Sequence, residues 1–466
     1  MAKIISQETF DDVVKENIVE FEMDVNEAKE ETVKQFEAQG INLANIIKDL
    51  KINEESGRPV LNETIEQLKS LVSNGDFDKN ELQKKLDILT GECKSSVPHR
   101  VMAAKLGAHE LILDIIEKAL EKHESTECPL IKSSLSAWNQ LTCKQPDVFN
   151  DRSLFLVIQI LKKNLPDAFI LMVLQHLKYA TVLHEINRRN IVNANILDCL
   201  KPLLKTANPE ILKETCAVFR HLILDDDLRV EFSESHKHAK IIAENVLIEL
   251  THLLPVHLKD ANVFSELLLT IAALTVRHEF CAQVGEAGGL KFIYDGMKEH
   301  STSIRVSKDS FKLLRALAGD DSVKNTILKD GGARLIDEII NLHKENELFA
   351  RAALACLSTL TLRSQVNSQA LFDAGSAETI VETMKLHTGS KLVTRNGAWA
   401  IRNMVSRSRD QCPVFLSFGA EELLKNAMIA YPDVEYDFKS ALRDLGCNVK
   451  LNEEWTGIKN KIHIEN

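Results

Sequence analysis

The chain has 466 residues, a formal net charge of −11 and only 5% aromatic residues. So large an acidic excess disfavours general affinity for DNA, RNA or anionic membrane, whose surfaces repel it, although a local basic groove remains open. The nine cysteines include no C-x-x-C pair. Several, such as Cys216 and Cys356, fall at apolar helical positions, as reduced buried thiols do in cytosol or nucleus.

The amino-terminal stretch enters a charged helix at once (Glu8, Asp11, Asp12), and apolar runs such as Leu154-Phe155-Leu156-Val157-Ile158 are too short to span a bilayer. Neither a signal peptide nor a transmembrane segment is expected. Thr9 reads as the cap of a first amphipathic helix with Phe10, Val13, Val14, Ile18 and Phe21 on one side. Asp24 with Glu27 opens a second helix that ends near Gly40. Residues 1–50 are therefore an N-terminal helical extension, expected to dock as a cap on the first repeat or, alternatively, to recruit a partner as a tethered module. Residues 51–61, polar and broken by Gly57 and Pro59, read as a flexible linker, and residues 62–96 as a helical cap. Asp76-Phe77-Asp78-Lys79-Asn80 imitates the start of a calcium loop. Glu81 then stands where that loop needs glycine and Asp87 where it needs a bidentate Glu, so a helix N-cap explains the same residues better.

Residues 97–450 carry a repeat. Ala287-Gly288-Gly289, Asp330-Gly331-Gly332, Ala374-Gly375-Ser376 and Phe418-Gly419-Ala420 recur at steps of 43, 44 and 44 residues. Leu106-Gly107-Ala108, and the weaker Asp151-Arg152-Ser153 and Asn193-Ala194-Asn195, keep that register upstream. Steps of roughly 40 to 47 residues belong to helical solenoids of the armadillo or HEAT kind. Each marker lies between short apolar helices and is followed by a longer third helix, such as Phe349 to Leu360, giving about eight units in one continuous array. The one break in register falls between positions 238 and 288, and the extra residues are expected around Ser233 to His238, ahead of that unit's second helix. Insertions of this kind emerge as loops on one face, often a binding face, which makes His236 and His238 a candidate loop contact for a partner or an ion.

Asp225-Asp226-Asp227 with His236 and His238 offer carboxylate and imidazole ligands, but at no spacing known for zinc or iron. The competing reading is that Asp227 caps the next helix and the histidines sit in an exposed loop. No metal or cofactor is expected, and no phosphate loop, nucleophile elbow or HExxH motif points to catalysis. The chain closes with a last third helix, Lys439 to Cys447, and a tail, residues 451–466, whose Trp455 is expected to cover the final core.

The sharpest third helix is Gly397-Ala398-Trp399-Ala400-Ile401-Arg402-Asn403-Met404-Val405. Gly397, Ile401, Met404 and Ser408 fall on its inner face, and Trp399, Arg402 and Asn403 point away from it. It resembles the third helix of the armadillo-repeat family, where Trp and Asn four residues apart commonly line a peptide groove. Further stretches resemble one branch of that family from end to end: Gln7 to Asp11, Glu16 to Ile18, Gln35 to Gly40, Asp225 to Val230, His238 to Lys240, Ala441 to Cys447 and Trp455 to Gly457. The resemblance implies an all-α, armadillo-type right-handed α-solenoid that binds partners in its concave groove. The other third helices place Gln140, Lys178, His221, Ala273, Ala316, Thr359 and Asp444 where this one has Asn403. A ladder of asparagines is absent, and nuclear-import cargo is not expected.

One position earlier, four of the eight helices carry Arg220, Arg315, Arg402 and Arg443, a column suited to an extended acidic or phosphorylated strand. The alternative is that these arginines pair with neighbours such as Asp444 or Glu338. The expected function is a monomeric, non-enzymatic scaffold or adaptor of cytoplasm or nucleus that binds a protein or peptide through Arg220, Arg315, Trp399, Arg402, Asn403 and Arg443, with no nucleic acid and no membrane. A chaperone-type protein holding a client polypeptide is the alternative, followed by a metal-dependent enzyme using Asp225 to Asp227 with His236 and His238.

Overall fold

The computed structural model describes residues 3–51, 53, 56, 58–73, 79–122, 129–163 and 165–450. The chain forms two compact units, residues 1–238 and 239–466. Among the described residues there is no strand, and an isolated bridge joins Lys3 and Ile41. No described helix is long and apolar enough to cross a membrane.

The first unit begins with a helical hairpin. Ser6, not Thr9, caps helix Gln7–Glu20: its hydroxyl accepts from the Thr9 amide at 3.1 Å. Asp24 caps helix Val25–Ala38 by accepting from the Asn26 and Glu27 amides. The two helices close over Phe10, Val14, Ala28, Phe36, Leu43 and Ile46. Across this small core the Asn17 amide donates to the Thr32 hydroxyl at 2.9 Å, so neither buried polar group is left unpaired. Phe21 does not join the apolar stripe; it follows the end of the helix and is 62% exposed.

Ile52, Glu54, Glu55 and Gly57 of the expected linker lie outside the described residues. Around them the Val60 amide donates to the Lys51 carbonyl and the Asn53 amide to the Arg58 carbonyl, each at 2.9 Å. Asp76, Phe77 and Asp78 of the calcium-like stretch, and Trp455 of the tail, also lie outside the described residues. Helices Val60–Ser73 and Lys79–Ser95 lead into Val97–Lys105, Ala108–Lys122 and Pro129–Thr142, then Asp151–Lys162 and Asp167–Thr181, then Glu185–Asn193, Leu197–Leu200 and Pro209–His221. The longer helices Lys79–Ser95, Pro129–Thr142, Asp167–Thr181 and Pro209–His221 stack in succession, which buries a continuous row of Leu, Ile and Val between them. Residues 222–234 then run without helix, up to the start of helix Ser235–Val256.

The second unit repeats one triplet four times: His278–Glu286, Gly289–Glu299 and Ile304–Leu317; Asp321–Ile327, Gly332–His343 and Glu347–Thr361; Gln365–Asp373, Ser376–Leu386 and Lys391–Val405; Cys412–Ser417, Ala420–Ala430 and Glu435–Asp444. This is the armadillo-type α-solenoid that the glycine spacing foretold. Gly288, Gly331, Gly375 and Gly419 have φ of +84°, +88°, +97° and +88°, and each immediately precedes the second helix of its triplet. The left-handed backbone that reverses the chain there is cheap only for glycine. In the first unit Asn195, with φ of +55°, fills the same place, which is why that marker survives without glycine.

A second column runs at the same period and was not read from the sequence. At the end of successive second helices, His300 Nε2 lies 2.7 Å from the Leu258 carbonyl, His343 Nε2 2.6 Å from Ser301, and His387 Nε2 2.8 Å from Lys344. Tyr431 completes the column by donating its hydroxyl to the Thr388 carbonyl at 2.8 Å. Since a carbonyl can only accept, each imidazole is protonated at Nε2. Each bond joins one triplet to the main chain that precedes it.

Candidate functional site

Three third helices of the second unit, Ile304–Leu317, Glu347–Thr361 and Lys391–Val405, pack side by side because one face of each is apolar: Val306, Phe311 and Leu314; Ala350, Ala353, Leu354 and Leu357; Val393, Gly397, Ile401 and Met404. Gly397 permits the close approach of the second helix Ser376–Leu386, since a Cβ there would lie 2.3 Å from Met384 Sδ. The opposite faces of the three helices bound a groove of about 520 Å³ whose charged lining is Lys308, Lys312, Arg315, Arg351 and Arg395. Trp399 stands in its wall, with the exposed Leu348 and Leu392 nearby.

The cations are held differently. Arg395 donates from Nε to Asp437 Oδ2 at 2.6 Å and lays its guanidinium 4.4 Å over the Trp399 ring, an arrangement that stiffens both side chains. Lys312 pairs with the buried Asp309 at 3.2 Å, and Lys308 reaches the same carboxylate at 4.0 Å. Asp309 also accepts from the Ser265 hydroxyl at 2.5 Å, so it acts as an internal tether more than as a neutralising surface charge. Arg315 and Arg351 are exposed and form no ion pair among the described residues.

The residues expected from sequence separate into several environments. Arg315 and Trp399 line the groove. Asn403 donates to the Ser358 carbonyl at 2.8 Å, and Asn396 to the Arg351 carbonyl at 3.1 Å, so both amides clamp their helix to the preceding third helix. Arg402 and Arg443 converge on one carboxylate, that of Asp444, with Nε to oxygen distances of 3.4 and 2.9 Å. Glu338 pairs instead with Arg334 at 2.9 Å. Arg220 is half-buried at the end of helix Pro209–His221 in the first unit. Sequence reasoning missed Lys308, Arg351 and Arg395, which occupy one register position in three successive third helices at steps of 43 and 44 residues. The periodicity could have found them had every position of the helix been followed, not only the one beside Asn403.

The comparisons with known proteins cover nearly the whole chain. A family model for ARMC6 matches residues 61–463, and one for the armadillo repeat-containing protein 6 N-terminal domain matches residues 2–60. The armadillo repeat-containing protein 6 homolog of Drosophila melanogaster is 51% identical over 462 residues, 99% of each chain. The chain belongs to the armadillo repeat-containing protein 6 family. Armadillo repeat-containing protein 6 of Homo sapiens is 32% identical over 479 residues, covering 98% of this chain and 93% of the human one. Two solved structures share the fold at low identity. An engineered protein aligns with a TM-score of 0.66 at 16% identity, over 94% of this chain and 99% of its own. A structure from work on a phosphorylation switch controlling the interaction between cadherin and beta-catenin aligns with a TM-score of 0.58 at 14% identity, over 82% of this chain and 68% of its own.

In this armadillo repeat-containing protein 6 family member, the acidic and histidine cluster of the first unit is not the loop expected from sequence. His236 and His238 belong to the first turn of helix Ser235–Val256, and two residues along a helix turn side chains through about 200°. His236 is accordingly exposed, whereas His238 is 1% exposed with Nδ1 3.1 Å from the Leu222 carbonyl. Burial pushes the His238 pKa below its ordinary value. Asp227 does not cap that helix. It accepts instead from the Glu185 amide, 42 residues upstream, at 2.8 Å and from Arg229 Nε at 2.8 Å. The Arg229 guanidinium holds its carboxyl well below the usual carboxylate range.

Asp226 accepts from the fully buried Arg188 at 2.6 Å and caps the Leu183 amide. Arg188 also donates to Glu185 at 3.0 Å and to the Thr181 carbonyl at 2.7 Å. Asp226 and Asp227 are thus engaged in pinning residues 222–234 to the preceding repeat. No group of three metal-ligating side chains occurs among the described residues.

Proposed function

We propose that this chain is a non-enzymatic interaction adaptor that binds an acidic segment of a partner protein across the third helices of its second unit. The observation that carries the reading is the charge of the groove: five cations line it beside Trp399, in a chain whose net charge is −11. Like charges gathered on one wall repel each other, and an anionic segment laid among them relieves that repulsion while its apolar atoms meet Trp399, Leu348 and Leu392. Arg315 and Arg351 carry the binding because no carboxylate of the described chain competes for them. Arg402, Asn403 and Arg443 border the same face, and Arg220 holds the corresponding register position in the first unit.

Membership of an armadillo-repeat family supports a protein partner. The eight described cysteines are all free thiols, which supports residence in cytoplasm or nucleus.

The test compares partners recovered from cells with the wild type and with an Arg315→Ala, Arg351→Ala double variant. Charge-assisted bonds are worth about 1.5 to 3 kcal/mol each, so the variant should bind its partner at least about tenfold more weakly while keeping its melting temperature. Identical recovery of the same partner at physiological salt refutes the adaptor reading. Retention of many unrelated unfolded polypeptides by both proteins points to a chaperone-type holder instead.

A further inference from the structure

The non-helical residues 222–234 are fixed in place at several points. Asp226 accepts from the Leu183 amide and Asp227 from the Glu185 amide, the Arg229 guanidinium donates to the Leu183 carbonyl at 2.6 Å, and the Glu234 amide donates to Glu185 Oε1 at 2.7 Å. Residues 226–234 are thereby bonded along residues 183–186. Arg188 and Glu185, both fully buried, form the centre of this network. Burying such charges often adds little net stability even when each is paired, so the consequence of the cluster is sought in what it holds. What it holds outward is apolar. Leu228 is 100% and Phe232 77% exposed, and Leu183 and Ile186 of the facing segment are each more than half exposed. Single exposed apolar side chains are ordinary, but several gathered on two segments bonded to each other are the mark of an interaction surface.

The charges beside these side chains are uneven. Every Lys and Arg within residues 183–189 and 225–237 is engaged: Arg188 with Glu185 and Asp226, Arg229 with Asp227 and Asp147, Arg189 with Glu234 at 2.9 Å, and Lys237 with Glu234 at 2.8 Å. Asp225 and Glu231, by contrast, are exposed and form no ion pair among the described residues. The uncompensated charge at the rim is negative. We propose that this patch is a second docking surface, and that its partner is a cationic amphipathic helix whose apolar face covers Leu183, Ile186, Leu228 and Phe232 while its Lys or Arg side chains meet Asp225 and Glu231. Such a helix sets apolar residues three and four apart on one side with cations along their border, the complement of this surface in both polarity and charge. The buried ion cluster holds the patch in shape before the partner arrives, so little ordering opposes binding. The surface belongs to the first unit, prefers the opposite charge to the groove of the second, and stands independently of the adaptor reading.

The experiment uses the full chain and two labelled peptides of about eighteen residues, long enough to hold a helix, made of the same leucines, lysines and alanines with blocked ends. In one the leucines fall on a single helical face; in the other the same residues are shuffled so that the leucines surround the helix. Fluorescence anisotropy at low salt should give the one-faced peptide at least about fivefold tighter binding. Leu228→Ser with Phe232→Ser should abolish that preference. Asp225→Lys with Glu231→Lys should weaken the one-faced peptide at least about fivefold at low salt, with the difference shrinking as salt is added. The altered side chains are all exposed, so each variant should melt at the wild-type temperature. Arg315→Ala with Arg351→Ala should leave both affinities unchanged, which separates this surface from the groove. Equal affinity for the two peptides, a preference that survives Leu228→Ser with Phe232→Ser, or no loss in the Asp225→Lys, Glu231→Lys variant overturns the proposal and leaves the groove reading standing. A wild-type chain that sediments as a dimer, and a Leu228→Ser, Phe232→Ser variant that sediments as a monomer, assign the patch to a second copy of the chain and overturn the cationic helix as its partner.

Discussion

Gly296 sits in the second helix Gly289–Glu299, directly against the ring of Phe264 from third helix Ala261–Leu274. A Cβ added at Gly296 would lie 2.2 Å from both Cε1 and Cζ of that fully buried ring. Carbon atoms prefer about 3.5 to 4.0 Å, so the ring or the helix must move by more than an ångström in a close-packed interior. Such overpacking costs about 1 to 3 kcal/mol, while replacing glycine by alanine inside a helix returns about 1 kcal/mol of propensity. Gly296→Ala should therefore destabilise by up to about 2 kcal/mol net. Phe264→Leu makes room at the same point, so the double variant should be more stable than the sum of the single effects predicts, with a favourable coupling of about 1 kcal/mol or more. Urea unfolding followed by circular dichroism on the four proteins measures each quantity. A Gly296→Ala protein more stable than wild type, as helix propensity alone would give, refutes the steric argument.

Other consequences are equally open to measurement. Burial holds the pKa values of His99, His109, His176 and His238 below the ordinary value, and His176 well below it. A histidine depressed in the folded state binds its proton preferentially when unfolded, so its stabilising contribution is present above about pH 6.5 and is lost as the pH falls through that value. The melting temperature should drop between about pH 7 and pH 5, and a flat profile would count against these assignments. Arg188→Met leaves Glu185 buried without its cation and should cost about 3 to 5 kcal/mol; an unfolding midpoint like the wild type's would mean the ion cluster carries no stability. His343→Phe removes the imidazole that donates to the Ser301 carbonyl and should cost about 1 to 2 kcal/mol, read as faster hydrogen exchange in the adjoining triplets.

The solenoid was legible because its punctuation is chemically obligatory. Gly288, Gly331, Gly375 and Gly419 turn the chain through left-handed backbone, and few residues can replace them there. A local cap was legible too: Asp24 accepts from amides two and three residues ahead, a bond contained within a short stretch of sequence. Ser6 and Thr9 were confused because two hydroxyls three residues apart are equally good caps on paper, and here they lie 2.9 Å from each other. Asp227 was misassigned for a different reason: its amide partner is 42 residues away, and only the stacking of repeats brings it there. At the groove, the arginine column beside Asn403 was visible, and so was Asp444 as a partner for it; the stacking decides that Asp444 takes Arg402 of the preceding third helix together with its own neighbour Arg443. The Lys308, Arg351 and Arg395 ladder obeys the repeat step and was within reach of the sequence.

The column of His300, His343, His387 and Tyr431 has a direction. Every rung reaches from a later triplet to a carbonyl that comes earlier in the chain, at Leu258, Ser301, Lys344 and Thr388. Synthesis from the ribosome delivers the acceptor before the donor, so each new triplet of the second unit meets a finished docking edge the moment its second helix is made. The wait between rungs is one repeat of translation, a few seconds at about 5 to 20 residues per second. The array is built to be laid down like courses of brick, each one keyed to the course beneath.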